Sequence, residues 1–464
     1  MNNDTIAAVA SGMTASGIGI IRISGSEAFS VLSRVFRPGR KADVKEYKAN
    51  TIHYGHVVRI YEGREEVIDE CLVSIMRAPH SYTAEDTAEI NTHGGPHVMQ
   101  RVLDLVLENG ARAAEPGEFT KRAFLNGRMD LTEAEAVMDL IRAKSDDAAA
   151  NSVSQLGGSL HRKIAALRDN IIYETARIES AIDDPEHYDL AGYGDELSER
   201  LTSLCAELRE MTDSFREGRL VRDGILTVIL GKPNAGKSSL LNMLTGEDRA
   251  IVTDIEGTTR DILEEQVRLG GMILRVIDTA GIRDARDKIE QIGIMRAKEY
   301  ADRADLILAM FDSARPLDEN DRDIINLIAG KRAVILLNKS DLDTVVTEKS
   351  FGDLHEGEDI PIVSISAKEG SGLKDLENVI RGLFFSGRVR LNEEVMITNA
   401  RHLGAMEEAI RSLELVQKSI REGMPEDFYS IDLMDAYARL GEIIGEEVED
   451  DLVDTIFSKF CMGK

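Results

Sequence analysis

Residues Gly231 to Ser238 read Gly-Lys-Pro-Asn-Ala-Gly-Lys-Ser, a glycine spacing suited to holding phosphate. Glycines let successive backbone N–H groups turn inward towards anionic oxygens. Lys237 is then placed to reach the β- and γ-phosphates of a nucleotide, and Ser238 to ligate a magnesium ion. The stretch follows an apolar run, Leu226 to Leu230, and opens a helix-like segment, Ser239 to Leu244. That strand–loop–helix setting is what the motif requires. A chance glycine-rich turn is the bland alternative, and the ordered motifs that follow weigh against it.

A second apolar run, Ile273 to Ile277, ends in Asp278-Thr279-Ala280-Gly281. A carboxylate at a strand end can orient a magnesium shell, and the glycine N–H can meet a γ-phosphate. A third run, Ala333 to Leu337, leads into Asn338-Lys339-Ser340-Asp341. The Asp341 carboxylate can accept from guanine N1–H and its N2 amine. Adenine offers no such pair, so a carboxylate left unpaired disfavours ATP. A further run, Ile362 to Ser366, ends in Ser366-Ala367-Lys368, which suits a loop closing over the base. Thr258 and Thr259 lie between the first two motifs, and Thr259 is read as the second magnesium ligand, with Thr258 the alternative. The ordered set implies a guanine-nucleotide site.

One position departs from Ras-like hydrolases, which place a glutamine directly after Asp-x-x-Gly to orient water. Here that position is Ile282. No arginine finger is evident, although Arg260 and Arg283 lie near the switches. Such a finger is worth roughly 10³–10⁵ in rate. Either hydrolysis is slow, or a cation and a water-orienting group come from elsewhere. Glu290, within the charged segment Arg283 to Gln291, is the candidate for water; a solvated surface charge is the competing reading.

The elements that must position these residues are legible in outline. A chain of 464 residues has room for two or three domains. No run approaches the length of a membrane span, and Met1-Asn2-Asn3-Asp4 lacks the basic start of a signal peptide. The three cysteines, Cys71, Cys205 and Cys461, are sparse and odd in number, which points to a reducing cytoplasm. A net charge of −27 disfavours non-specific nucleic-acid binding. Prolines are absent between Pro116 and Pro185 and between Pro361 and Pro425. In the first gap Ile164, Leu167, Ile171, Thr175, Ile178 and Ile182 recur at helical steps, and Leu403, Met406, Ile410 and Leu413 do so later. A helical region therefore precedes the nucleotide motifs and another follows them, which reads as one helical domain with an inserted nucleotide domain. Residues 1–118, with runs at Gly19 to Ile23 and Leu72 to Met76, read as a mixed α/β unit. His93-Gly94-Gly95 reads as a strand-to-helix turn, and Cys461 on residues alone reads as an inert terminal cysteine beside Lys464.

This order resembles the MnmE (TrmE) family of tRNA-modification GTPases across essentially the whole chain. The resemblance is carried by Asp4-Thr5-Ile6-Ala7-Ala8, Gly19 to Gly25, Ser81-Tyr82-Thr83-Ala84-Glu85-Asp86, His93 to Pro96 and Pro116 to Phe119. It is also carried by the switch Gly257-Thr258-Thr259-Arg260-Asp261 and the end Cys461-Met462-Gly463-Lys464. A hydrophobic residue after Asp-x-x-Gly, as at Ile282, is also the family pattern. The fold it implies is multidomain. An α/β folate-binding-like domain (1–118) is followed by an all-α helical domain (119–219 and 384–464), interrupted by an inserted P-loop α/β GTPase domain (220–383).

The resemblance implies a GTP hydrolase that acts with a flavin-dependent partner, MnmG. Together they would install an aminomethyl or carboxymethylaminomethyl group on C5 of the wobble uridine in certain tRNAs. It implies a homodimer formed through the N-terminal domain, which binds a tetrahydrofolate derivative through Arg22, Glu85, Lys464 and Arg128, the last replacing a family lysine. The family carries a proline- and glycine-rich loop where this chain has Ser11 to Ser16. The implied potassium site comprises Asn234, Thr253, Ile255 and the region of Thr258, and magnesium falls to Ser238 and Thr259. By the same match, GTP contacts come from Asn234, Ala235, Gly236, Lys237, Ser238 and Ser239, and from Thr253, Asp254, Ile255, Glu256, Gly257, Thr258 and Thr259. Asp278, Thr279, Ala280, Gly281, Asn338, Lys339, Asp341, Ser366, Ala367 and Lys368 complete the set. Glu290 matches the family's water-orienting glutamate, Lys237 joins it in catalysis, and Cys461 takes part in the modification. A GTP-dependent switch in ribosome assembly is the alternative reading.

Overall fold

The computed structural model describes residues 4–184, 187, 192–246, 264–277, 298–351, 360–385, 396–446, 450–460 and 463. The strands are β1 (Ile6–Val9), β2 (Gly19–Ser24), β3 (Phe36–Pro38), β4 (Thr51–Tyr61), β5 (Arg64–Met76), β6 (Thr87–Thr92), β7 (Arg112–Ala113), β8 (Ile225–Gly231), β9 (Glu264–Leu269), β10 (Met272–Ile277), β11 (Leu306–Asp312), β12 (Ala333–Asn338) and β13 (Ile362–Ser364). The helices are α1 (Ala28–Val35), α2 (Pro96–Glu108), α3 (Glu118–Leu125), α4 (Leu131–Arg142), α5 (Asp146–Leu156), α6 (Ser159–Asp183), α7 (Tyr193–Asp223), α8 (Lys237–Thr245), α9 (Glu319–Ile328), α10 (Leu373–Phe384), α11 (Ala400–Arg421), α12 (Asp427–Ile444) and α13 (Asp450–Phe457).

These elements form two compact units. One gathers Met1–Met138, Gln155–Asp195 and Arg411–Lys464; the other gathers Asp139–Ser154 and Glu196–Ile410.

The first unit holds a sheet in the order β3-β4-β5-β6-β2-β1-β7. Its strand pairs are antiparallel except β1 with β7. Strand side chains alternate between faces. Ile21, Ile23, Val73, Ile75 and Ile90 therefore point to one face, where Val31, Leu32, Met99, Val102 and Val106 of α1 and α2 cover them. His93-Gly94-Gly95 does form the turn between β6 and α2, with Gly95 as N-cap and Pro96 at the first helical position. Proline is preformed for that place because its missing N–H has no helical partner there.

In the same unit α6 buries Ile164, Leu167, Ile171, Thr175 and Ile178, five of the six positions expected on one face. Ile182, in the last turn, is exposed instead. α12 packs against α6, and Gly441 of α12 faces the Arg168 guanidinium, where a Cβ would stand 3.0 Å from Nη2.

The second unit holds a sheet in the order β13-β12-β11-β8-β10-β9. All its pairs are parallel except β9 with β10. Parallel strands are buried on both faces, so they read as continuous apolar runs. On one face Ile229, Leu308, Met310, Val334 and Leu336 meet Leu240 and Leu244 of α8 and Leu376 and Ile380 of α10. On the other, Val228, Leu230, Ile307, Phe311 and Ile335 meet Ile325 and Ile328 of α9. Open sheets of this kind bind ligands beyond the carboxyl ends of their strands. Gly231, Asp312 and Asn338 occupy those ends.

Candidate nucleotide site and the N-terminal cluster

The phosphate loop joins β8 to α8. Asn234 and Gly236 take left-handed φ values of 63° and 106°. Gly236 is required on two counts: the φ, and a Cβ there would lie 2.1 Å from Asn338 Nδ2. The first N–H groups of a helix have no internal partner and attract anions, and α8 begins at Lys237 with no side-chain cap. Lys237 Nζ lies over the loop, donating to the carbonyls of Gly231 at 2.6 Å and Lys232 at 2.8 Å. The loop thus has a cradle that only glycine leaves open, backed by a cation and the Ser238 hydroxyl. That donor set fits a magnesium-bound polyphosphate.

Asn338, at the end of β12, is buried and works in both directions. Its Nδ2 donates to the Ala235 carbonyl at 2.7 Å, and its Oδ1 accepts from the Ala367 N–H at 2.9 Å. It thereby ties the phosphate loop to residues 366–368. Lys339 adopts φ 68° and its Nζ donates to Asp312 Oδ2 at 2.5 Å. Burial pushes the Asp312 carboxyl up, but bonds from Lys339 and the Ala314 N–H outweigh it and hold Asp312 below the usual carboxylate range. Asp341 accepts from Ser366 Oγ at 2.7 Å. That bond, helped by Lys368 and Lys339, also holds Asp341 below its ordinary value. It therefore meets a ligand as a pure acceptor.

Together these groups bound a cleft of about 610 Å³ lined by Pro233, Asn234, Gly236, Lys237, Ser238, Ser239, Asn338, Lys339, Asp341, Leu342, Ala367 and Lys368. Ala235 and Ser366, also expected in the set, are buried just behind it. Thr253, Asp254, Ile255, Glu256, Gly257, Thr258, Thr259, Asp278, Thr279, Ala280, Gly281, Glu290, Cys461 and Lys464 lie outside the described residues. Pro233, within the motif but outside the expected contacts, and Leu342 also line the cleft, and Asp312 stands behind Lys339. The run Leu306 to Phe311 ending in Asp312 was the available signal, the same strand-end carboxylate pattern that singled out Asp278.

A second cluster sits in the first unit. Arg22 Nε pairs with Glu89 Oε1 at 2.8 Å, and its guanidinium lies 5.3 Å from the Tyr82 ring and 5.5 Å from Phe119. Arg128 lies 5.1 Å from the same Tyr82 ring. Glu85 accepts from Ser24 Oγ at 2.7 Å and from Arg122 Nη1 at 3.2 Å. The chain end is brought here too: Arg22 Nη1 donates to the Gly463 carbonyl at 3.4 Å, and a Cβ on Gly463 would lie 2.2 Å from Val9 O. Two carboxylates, two aromatic rings and three guanidiniums within one cluster form a set suited to a flat heterocycle with an acidic tail.

Known proteins bear on these two sites. The family model described as GTP-binding protein TrmE N-terminus matches residues 5–128, and that of the MnmE helical domain matches 131–461. A tRNA modification GTPase MnmE from Lachnoclostridium phytofermentans is 51% identical, covering 100% of both chains. The chain belongs to the MnmE (TrmE) family. Its relatives of the same description include proteins of Acetivibrio thermocellus, 47% identical over 99% of each chain, and of Geobacillus kaustophilus, 44% identical over 99% of each chain. Family membership accounts for both sites at once: an α/β N-terminal unit carrying the arginine–carboxylate cluster, and a nucleotide cleft on a parallel sheet. Among the described residues no helix is long and apolar enough to cross a membrane.

Proposed function

We propose that this chain is a potassium-activated GTP hydrolase that, with the flavin-dependent partner MnmG, adds an aminomethyl or carboxymethylaminomethyl group to C5 of the wobble uridine of certain tRNAs. The observation that carries the GTP half is the Asn338 tie, which holds the phosphate loop and the base-closing residues around one cleft with Asp341 ionised at its mouth. In this reading Asp341 accepts from the guanine N1–H and N2 amine. Backbone N–H groups of residues 234–239 and the Lys237 ammonium bind the phosphates. Magnesium falls to Ser238 and Thr259, and potassium to Asn234, Thr253, Ile255 and Thr258. Cations held by these residues would neutralise charge developing on the transferred phosphoryl group. Asn234 lines the cleft, which supports its assignment. Glu290 orients the attacking water.

The N-terminal cluster takes a tetrahydrofolate derivative, the source of one carbon. Glu85 accepts from N–H groups of the pterin, while Arg22, Arg128 and Lys464 meet the acidic tail. Gly463 against β1 supports a site that takes in residues near Lys464, and Cys461 is assigned to the modification itself. Exposed Ile52, Tyr54, Ile60, Tyr61 and Leu72 on β4 and β5 support homodimer formation through this unit. The helical-domain match, running from 131 to 461 across the nucleotide motifs, supports an inserted GTPase domain at 220–383 between helical segments 119–219 and 384–464. The names of the relatives favour tRNA modification over a ribosome-assembly switch, and we assign its action to the cytoplasm.

The test is nucleoside analysis of tRNA from cells lacking the chain. Wobble uridines bare at C5 are expected. Full modification in such cells overturns the reading.

A further inference from the structure

Lys232, the second residue of the phosphate loop, has a partner set that GTP binding does not use. Its Nζ donates to Asp318 Oδ2 and Asp321 Oδ2, each at 2.7 Å. Those two carboxylates form the start of α9. Asp318 Oδ1 accepts from the N–H groups of Asn320 and Asp321, and Asp321 Oδ2 accepts from the Asp318 N–H. Two carboxylates closing one capping box repel, and Asp321 is buried, so the arrangement calls for a cation between them. Lys232 supplies it. Burial lowers the ammonium's proton affinity, yet the bonds to Asp318 and Asp321 more than restore it, leaving Lys232 above the ordinary lysine range.

The backbone of Lys232 is tied into the phosphate loop. Its carbonyl accepts from Lys237 Nζ and from the Ala235 N–H at 3.3 Å. The residue therefore fixes the first arm of the phosphate loop to a helix start on the same segment that holds Lys339 through Asp312. Residues 312–321 act as a bracket: two lysines, one from each nucleotide loop, are fastened to its carboxylates.

We propose that Lys232 is a positioning residue, which through Asp318 and Asp321 sets the phosphate loop at a fixed spacing from the guanine loop and so slows nucleotide release. The inference rests on the cleft taking a guanine nucleotide and adds a residue that touches none of it.

The test uses the full chain and fluorescent mant-GDP, with dissociation followed by stopped flow. Lys232→Met is expected to release mant-GDP roughly tenfold faster, the worth of a lost bond to a charged group, while Lys232→Arg stays within about twofold of the parent. Asp318→Asn keeps the cap acceptor and is expected to speed release in the same direction, and to shrink the effect of Lys232→Met when the two are combined. Parent-like release from Lys232→Met overturns the proposal. If that variant does not fold, Asp318→Asn decides: parent-like release from it contradicts the bracket. A parent chain that binds no mant-GDP would instead remove the nucleotide reading itself.

Discussion

Asn338 Nδ2 and the carbonyl of Ala235 lie 2.7 Å apart, so the end of one strand holds the crown of a loop that begins at the end of another. The two residues are 103 positions apart in the chain. The same side chain receives the Ala367 N–H, which makes one buried amide the junction of three segments.

Removing that junction should be costly. Asn338→Ala leaves the Ala235 carbonyl and Ala367 N–H without their partner, and a buried polar group so stranded costs about 1–3 kcal/mol. GTP affinity in an equilibrium titration should fall roughly tenfold or more. Unchanged affinity would mean that the tie does not shape the cleft.

Asp341 should decide which base is bound. Asp341→Asn presents an N–H where guanine also presents N–H groups, so GTP should bind roughly hundredfold more weakly or worse. Xanthosine triphosphate, with an oxygen in place of the N2 amine, should gain in its stead. The pH dependence has a definite sign. A lowered carboxyl pKa keeps Asp341 ionised as acid is added, so its contribution to affinity persists above the ordinary carboxylate range and is lost below it. The Asp341 share of GTP affinity, measured against Asp341→Asn at each pH, should therefore hold through the ordinary carboxylate range and decline only below it. Ser366→Ala removes the largest lowering contribution and should move that decline to higher pH.

Gly236→Ala places a Cβ 2.1 Å from Asn338 Nδ2 in a backbone conformation of φ 106°. Relief requires the loop or Asn338 to move. Strain of this kind costs about 1–3 kcal/mol, so nucleotide affinity should drop roughly ten- to hundredfold while the thermal unfolding of the first unit is unaffected. A parent-like titration would show that the loop tolerates side chains the geometry forbids.

Much of the nucleotide domain was legible because parallel strands buried on both faces leave apolar runs. β8, β10 and β12 fall where Leu226 to Leu230, Ile273 to Ile277 and Ala333 to Leu337 predicted them. The run Ile362 to Ser366 gave only Ile362–Ser364 as strand, because Ser366 turns away to bridge Ser371 and donate to Asp341. Ile182 matched the helical spacing but falls in the last turn of α6, beyond the packed face. The Lys232–Asp321 and Lys339–Asp312 pairs were invisible in sequence, since spacings of 89 and 27 residues carry no local period. Arg22 and Glu85 entered through family resemblance alone; nothing in spacing joins Arg22 to Gly463.

Glu290→Ala should keep GTP affinity and lose turnover by roughly 10²–10⁴-fold, the usual worth of a group that handles the attacking water's proton. Steady-state kinetics beside an equilibrium titration separates the two. Turnover that survives the change would move the water-orienting role to another residue.

The most direct measurement is the single-turnover rate of GTP cleavage by the parent chain in potassium against sodium at equal ionic strength. With no arginine finger evident in the sequence and Ile282 after Asp-x-x-Gly, cleavage should run roughly hundredfold faster in potassium than in sodium. Equal rates in the two salts would contradict potassium activation.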